Sequence, residues 1–107
     1  MNRGEVWWVN LESTVGGEIQ KKRPVVIISN NDSNRFLNRV QVVPLTSKID
    51  RLYPSEAYVI LNEKQCKAMA DQLTTVSKMR LINLEGRLSN SDIRKIEQVV
   101  KVQLELS

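Results

Sequence analysis

The sequence predicts a mainly β domain that ends in one helix. Short runs of β-branched and aromatic residues are typical of strands, and polar, turn-forming segments separate these runs. Helical spacing of apolar residues occurs only near the C-terminus. The 107 residues match the size of one domain with one modest core. We therefore expect a single domain over residues 1–107.

Six runs have the composition of strands, and they occupy residues 4–11, 24–29, 40–46, 55–61, 68–76 and 81–88. We expect loops over 12–22, which contains Gly16 and Gly17, and over the polar, turn-rich segment 30–38. Trp7 and Trp8 are neighbours in the first strand, so their rings point to opposite faces. One ring is expected in the core and the other against a neighbouring element, a partner or solvent.

The C-terminal segment is predicted to be an amphipathic helix. Residues 89–92 supply N-cap candidates and an acid in the first turn. Apolar residues follow at helical spacing, at Ile93, Ile96, Val99, Val100 and Leu104. A curled sheet needs its edges and open end covered, and we expect this stripe to cover them.

Residue counts exclude several kinds of chemistry. With no histidine in the chain, there is no histidine general base, no Ser/His or Cys/His dyad and no ordinary zinc site. Cys66 is the only cysteine, so it has no internal disulfide partner, and we interpret it as incidental. The sequence contains no membrane-length apolar run and no N-terminal secretion signal, so we expect a cytoplasmic protein with no membrane partner.

The net charge of +4 is too small to establish nucleic-acid binding by itself. The cations are nevertheless grouped in predicted loops and strand ends, at Lys21, Lys22, Arg23, Arg35, Arg39, Lys48, Arg51, Lys78 and Arg80. If these ends lie together, they form a basic groove that attracts a phosphate backbone. If they do not, they form a solvated rim.

Two predicted strands carry, at their ends, side chains that can bind a phosphate. Arg23 precedes Pro24 at the start of one strand, and Thr46 with Ser47 ends the next. Arginine offers a planar fork of donors for a phosphate, and the hydroxyls can bond its remaining oxygens. Taken alone, an Arg-Pro pair before a strand is more often a solvated surface feature.

The wider string of motifs resembles the MazF/PemK family of toxin endoribonucleases. The resemblance extends over nearly the whole chain, and its most specific parts are Arg23-Pro24-Val25 and Pro44-Leu45-Thr46-Ser47, joined by Asn34-Arg35-Phe36. It implies an SH3-like small antiparallel β-barrel with a C-terminal helix. It also implies a homodimer whose RNA groove spans the subunit interface, and a cognate antitoxin protein that neutralises the toxin.

The activity implied by the resemblance is metal-independent cleavage of single-stranded RNA, without a cofactor. The ribose 2′-hydroxyl attacks the adjacent phosphorus and leaves a 2′,3′-cyclic phosphate and a 5′-hydroxyl. Family motifs assign the catalytic roles to Arg23 and Thr46. Arginine is a poor general base at neutral pH, so the base is a separate group. Glu18 is one candidate, and its alternative role is to pair with Lys21 or Lys22.

RNA contacts are predicted for polar and basic side chains in the loops and at the strand ends. These are Glu18, Lys22, Asn30, Asn34, Arg35, Ser47, Lys48, Gln72, Thr74, Lys78 and Arg80. Asn34, Arg35 and Phe36 have an alternative role in shaping their loop, with Phe36 packed inward. Many family members have arginine where this chain has Thr74, and Asn-Asp where it has Asn30-Asn31, which puts base preference in question.

Two other classes are possible. A same-fold toxin that poisons gyrase by binding, without catalysis, depends on a tryptophan close to the C-terminus, whereas both tryptophans here lie at positions 7 and 8. An SH3-like adaptor for proline-rich ligands needs an aromatic-lined groove. Aromatic residues make up only 5% of the chain, so the adaptor is the less favoured of the two.

Overall fold

The computed structural model describes residues 1–10 and 22–107. The strands are β1 (Glu5–Asn10), β2 (Lys22–Ile27), β3 (Arg39–Thr46), β4 (Glu56–Leu61), β5 (Lys64–Met69), β6 (Thr74–Ser77) and β7 (Leu81–Arg87). The helices are α1 (Asn31–Phe36) and α2 (Asn90–Leu104), with single 3₁₀ turns at Ala70–Gln72 and Lys78–Arg80. The predicted fold class, mainly β with a C-terminal helix, is confirmed.

The strands form one antiparallel sheet in the order β4-β5-β3-β2-β1-β7, and β6 also pairs with β3. β3 organises this sheet because it is long enough to hold three partners. Val42 to Pro44 pair with β2, while the opposite edge of β3 pairs with β6 through residues 39–42 and with β5 through residues 45–46. Register shifts in the β1–β7 pair, beside Trp7 and Trp8, add local twist.

The sheet curls into a half-barrel whose end strands, β4 and β7, approach each other without ladder pairing in the described part of the chain. The Asn62 side-chain amide donates to the Glu85 carbonyl at 3.1 Å across this seam. Gly86 permits the approach, because a Cβ built there lies 2.9 Å from Asn62 Oδ1 and 3.1 Å from Leu61 Cδ1. The half-barrel therefore stays open along a seam between the β4–β5 hairpin and β7.

Apolar residues fill both faces of the curled sheet. Alternation along β2 sends Val26 to one cluster and Val25 and Ile27 to the other. The first cluster also contains Ile93 and Ile96 of α2, which confirms the predicted helix stripe. The second contains Val9, Val40, Val42 and Val76, with Trp7 and Leu81 packed against it.

Two sequence predictions about secondary structure are wrong. The segment 30–38 was expected to be a loop but contains α1, because the Asn30 side chain accepts from the Ser33 amide at 2.8 Å and caps the helix. The strand expected over 68–76 is two strands separated by the 3₁₀ turn at Ala70–Gln72. This turn moves the chain from one half of the β3 edge to the other.

α2 is fixed to the edge strand β4 by a buried carboxylate. Ser89 caps the helix by accepting from the Asp92 amide at 3.0 Å. Asp92 then accepts from the Ile60 amide at 2.8 Å, and this edge donor would otherwise lack a strand partner. Among the described residues, no helix is both long and apolar enough to cross a membrane.

Replacing Asp92 by alanine should therefore lower the free energy of unfolding by about 1–3 kcal/mol, because the Ile60 amide loses its acceptor. Ser91→Ala, at the exposed neighbouring position, is the control and should change it by less than about 0.5 kcal/mol. Urea titration followed by circular dichroism measures both values. Equal stability of the two variants would contradict the anchoring role of Asp92.

Candidate anion-binding cleft

A cleft of about 560 Å³ lies at the open seam of the half-barrel. Its walls come from the start of β2, the end of β3, the β4–β5 hairpin and one residue each of β1 and β7. The lining residues are Trp8, Lys22, Arg23, Pro24, Leu45, Thr46, Ser47, Lys48, Leu61, Asn62, Lys64, Gln65, Cys66 and Glu85. We call this space the seam cleft.

Arg23 enters the seam cleft from the start of β2, where it is half-buried. Its Nη1 donates a long hydrogen bond of 3.4 Å to the Leu45 carbonyl on the neighbouring strand. Its Nε is buried and has no hydrogen-bond partner among the described residues. A buried donor without a partner is energetically costly, so an anion that accepts from this guanidinium would satisfy it.

Thr46 lies at the end of β3, on the opposite side of the same opening. Its Oγ1 accepts from the Lys48 amide at 3.2 Å, which shapes the turn that follows the strand. This bond uses an oxygen lone pair and leaves the hydroxyl proton for another acceptor. Ser47 and Lys48 are exposed next to it.

The convergence of these groups follows from strand pairing. β2 and β3 are antiparallel, with Val25 opposite Pro44, so the start of one strand and the end of the other share an edge of the sheet. Lys22, Arg23, Thr46, Ser47 and Lys48 consequently line one cleft, as the sequence predicted for two converging strand ends. Three of the five are cations, which favours an anionic ligand.

The other wall contains residues that the sequence argument missed. The Trp8 indole donates to Glu85 Oε2 at 2.8 Å, and Asn62, Lys64 and Gln65 come from the β4–β5 hairpin. No local motif marks these positions, because they reach the cleft only through the curl of the sheet. Trp8 thus lines the seam cleft, whereas the Trp7 ring packs against the second core cluster.

Cys66 borders the seam cleft but belongs to the first core cluster. Burial raises the pKa of its thiol above the ordinary value, and the nearby Asp92 carboxylate raises it further. The thiol is therefore protonated at neutral pH and is a poor nucleophile. This state is consistent with the interpretation of Cys66 as incidental to the chemistry.

Three further residues predicted to contact RNA lie around a second hollow of about 420 Å³, lined by Met1, Asn2, Asn31, Asn34, Arg35 and Lys78. Asn34 is 1% exposed, and its side-chain amide donates to the Ser29 carbonyl at 2.9 Å while its oxygen accepts from the Ser29 hydroxyl. This geometry gives Asn34 a structural role, in which it ties α1 to Ser29, and leaves little of its side chain for the predicted RNA contact.

Phe36 does not pack inward, which corrects that expectation. Its side chain is 77% exposed, and the Arg35 guanidinium lies 6.0 Å from the centre of its ring. The ring leaves the core because α1 ends at Phe36 and the chain then turns into β3.

The remaining predicted contacts are dispersed. Asn30 caps α1, Gln72 lies in a 3₁₀ turn with its amide 3.8 Å from the sulfur of Met69, and Thr74 is exposed on β6. Arg80 Nη1 donates to the Asn10 carbonyl at 3.3 Å. Glu18, like Lys21, falls outside the described residues.

The protein is a small curled β-sheet domain with a C-terminal helix, and its cationic, hydroxyl-bearing cleft is suited to an anionic ligand. Residues 2–104 match the model of the PemK-like, MazF-like toxins of type II toxin–antitoxin systems. The chain belongs to this family.

Known relatives of similar length agree with this assignment. Endoribonuclease MazF9 of Mycobacterium tuberculosis is 32% identical, with 99% of this chain and 98% of the relative covered. Endoribonuclease EndoA of Bacillus subtilis is 26% identical, with 99% and 96% covered.

Solved structures show the same fold. A mycobacterial endoribonuclease in complex with its cognate antitoxin has a TM-score of 0.84 at 25% identity, with 100% of this chain and 97% of that chain covered. MazF from Deinococcus radiodurans has the same TM-score at 19% identity, with 98% and 96% covered.

Proposed function

We propose that this protein is a toxin of a type II toxin–antitoxin system that cleaves single-stranded RNA, mRNA in the cell, at a specific sequence and without a metal ion. Family membership and the endoribonuclease relatives support the class of enzyme. The convergence of Arg23 and Thr46 in the seam cleft is the observation that carries the assignment of the site. The alternative of a non-catalytic, gyrase-poisoning toxin gains no support from these relatives.

The side chains of the cleft suit a reaction in which RNA supplies its own nucleophile. The 2′-hydroxyl loses its proton to a base, and the 2′-oxygen forms a bond to phosphorus as the bond to the 5′-oxygen breaks. The 5′-oxygen takes up a proton from water, which gives a 2′,3′-cyclic phosphate and a 5′-hydroxyl. Negative charge builds on the phosphoryl oxygens in the transition state. Fixed donors and cations aimed at those oxygens stabilise that charge, and Arg23, Thr46 and Lys48 supply both.

In this mechanism Arg23 acts as a donor and not as a base, since a guanidinium stays protonated at neutral pH. Its unpartnered Nε and the remainder of its fork bind phosphoryl oxygens. The same fork has enough donors to stabilise the leaving 5′-oxygen as well. The Thr46 hydroxyl donates to a further phosphoryl oxygen. We assign removal of the 2′-proton to a carboxylate, with Glu18 as the candidate from sequence.

RNA binding beyond the scissile phosphate is assigned to exposed and partly exposed polar and basic residues. Lys22, Ser47 and Lys48 adjoin the cleft. Arg35 and Lys78 border the second hollow, and Asn30, Gln72, Thr74 and Arg80 lie elsewhere on the described surface. Single-stranded RNA is held by phosphate contacts together with base stacking and edge contacts.

The partners follow by inference from the family. The mycobacterial relative was solved with its cognate antitoxin, and we infer a cognate antitoxin for this chain. We also infer a homodimer, a location in the cytoplasm where mRNA is available, and one toxin domain over residues 1–107. Large apolar side chains that remain exposed, including Phe36 at 77% and Met79 at 94%, support a further protein contact.

The class of reaction is tested by incubating the purified protein with mixed RNA in excess EDTA and mapping the new 5′ ends. Cleavage should persist at one short recurrent motif and leave 5′-hydroxyl ends, because the cleft offers cations and hydroxyls for the phosphate. A two-metal hydrolase depends on its ions for activity. Cleavage that stops on chelation and returns with magnesium would overturn the metal-independent mechanism.

The site is tested by substitution at the two converging positions. Arg23→Ala should abolish detectable cleavage, and Arg23→Lys should restore little because lysine lacks the planar fork. Thr46→Ala should lower kcat by about a hundred- to thousand-fold, the usual effect of losing one transition-state hydrogen bond.

Arg94→Ala, an exposed arginine on α2, is the control for charge and should cleave normally. Circular dichroism should show all these variants folded, because none removes a fully buried side chain. Wild-type cleavage rates in folded Arg23→Ala would disprove the site assignment.

A further inference from the structure

Lys67 is the one lysine or arginine that is buried in the described part of the chain, with 6% of the residue exposed. Its ammonium lies 2.9 Å from Glu56 Oε1, and both side chains are less than a tenth exposed. Burying two charges has a large desolvation cost, and a hydrophobic pair of the same volume is often no less stable. The buried Lys67–Glu56 pair is therefore not explained by a gain in folding stability, and its neighbours indicate another role.

The pair is connected to the loop over residues 47–55, which starts directly after Thr46. Lys67 Nζ also donates to the Arg51 carbonyl, and Glu56 Oε1 accepts from the Tyr53 amide at 2.9 Å. The Lys67 ammonium lies 5.8 Å from the centre of the Tyr53 ring, and the Arg51 guanidinium lies 5.7 Å from it. The Lys67–Glu56 ion pair thus holds the middle of the 47–55 loop, at Arg51 and Tyr53.

Lys67 is also connected to the seam cleft, through the register of β5 with β3. Lys67 on β5 is the direct partner of Thr46 on β3, so the two side chains emerge on the same face of the ladder. Lys67 therefore links the strand position of Thr46 to the conformation of the loop that begins with Ser47 and Lys48.

We propose that Lys67, with Glu56, is a positioning residue for RNA cleavage. It holds the 47–55 loop so that the Thr46 hydroxyl and the Lys48 ammonium face the scissile phosphate. The proposal rests on the proposed function, because it assigns these two groups to the transition state. Neither Lys67 nor Glu56 touches the substrate.

The physical reason is the sensitivity of such sites to geometry. Without its anchor, a nine-residue loop samples many conformations, and misplacement of a catalytic group by about 1 Å can cost roughly a hundredfold in rate. Substrate affinity depends on many contacts along the RNA and is less sensitive to one loop. Loss of the anchor should therefore lower kcat more than it raises KM.

The test uses Lys67→Met combined with Glu56→Leu, since either change alone leaves an unpaired buried charge that can unfold the domain. The control is Arg3→Met combined with Glu97→Leu, which removes a pair of similar length, 2.8 Å, between the N-terminal segment and α2. Both doubles are checked by thermal melting. Measurements are kcat and KM on an RNA that contains the mapped cleavage motif, and hydrogen exchange of backbone amides.

The expected result for the Lys67/Glu56 double is a fall in kcat of roughly ten- to a hundredfold with KM changed less than about threefold. Exchange should accelerate at Lys48 and Tyr53, whose amides bond to Thr46 and Glu56. It should stay slow at the Ile28 amide, which donates to the Gln41 carbonyl of β3. The control double should keep the kcat of the wild type.

If the wild type cleaves RNA, three results would each overturn the positioning role. They are an unchanged kcat in the Lys67/Glu56 double, unchanged exchange at Lys48 and Tyr53, and an equal fall in kcat in the control double. A wild type that cleaves no RNA would instead refute the proposed function, and the positioning role with it. The wild-type measurement therefore separates the two failures.

Discussion

The antiparallel pairing of β2 with β3 is the constraint on which the site depends. It sets Val25 opposite Pro44, so Arg23 and Thr46 are brought to the same edge from positions 23 residues apart. The core clusters on the two faces fix this register, because a slip of one residue would exchange Val26 with Val25 and Ile27 between them. Hydrophobic packing thus determines where the cation meets the hydroxyl.

The open seam provides the space for a ligand beside that edge. A closed barrel of this size fills its interior with side chains. Here β4 and β7 form no ladder in the described part of the chain, and Asn62, just after β4, donates across the gap to the Glu85 carbonyl. The lost ladder bonds of the edge strand β4 are partly compensated by Asp92 of α2. α2 therefore stabilises the edge of β4, which must remain unpaired with β7 for the seam cleft to stay open.

The sequence predicts the fold class and the convergence of two strand ends because both depend on local patterns. Alternation marks the strands, helical spacing marks α2, and proline after Arg23 marks a strand start. The sequence does not predict the wall formed by Trp8, Asn62, Gln65 and Glu85, since those residues meet through the curl of the sheet. It likewise misses α1, where one Asn30 cap outweighs a turn-like composition.

Burial explains the other differences. Asn34 was expected at an RNA surface, but its amide satisfies the Ser29 backbone inside the protein. Lys67 lies among polar residues in the sequence and looks like any surface lysine, and only its buried pairing with Glu56 gives it a role. Side-chain burial of polar groups is a property of the assembled sheet and cannot be inferred from residue type, which on average predicts exposure.

The central claim is that the scissile phosphate binds between Arg23 and Thr46. The most direct measurement is a crystal structure of the protein with an RNA that carries the cleavage motif and a 2′-deoxy sugar at the cleaved position. We expect the scissile phosphate in the seam cleft, with its oxygens within about 3 Å of the Arg23 guanidinium and the Thr46 hydroxyl. A scissile phosphate bound elsewhere, such as beside Arg35 and Lys78, with the seam cleft free of RNA, would contradict it.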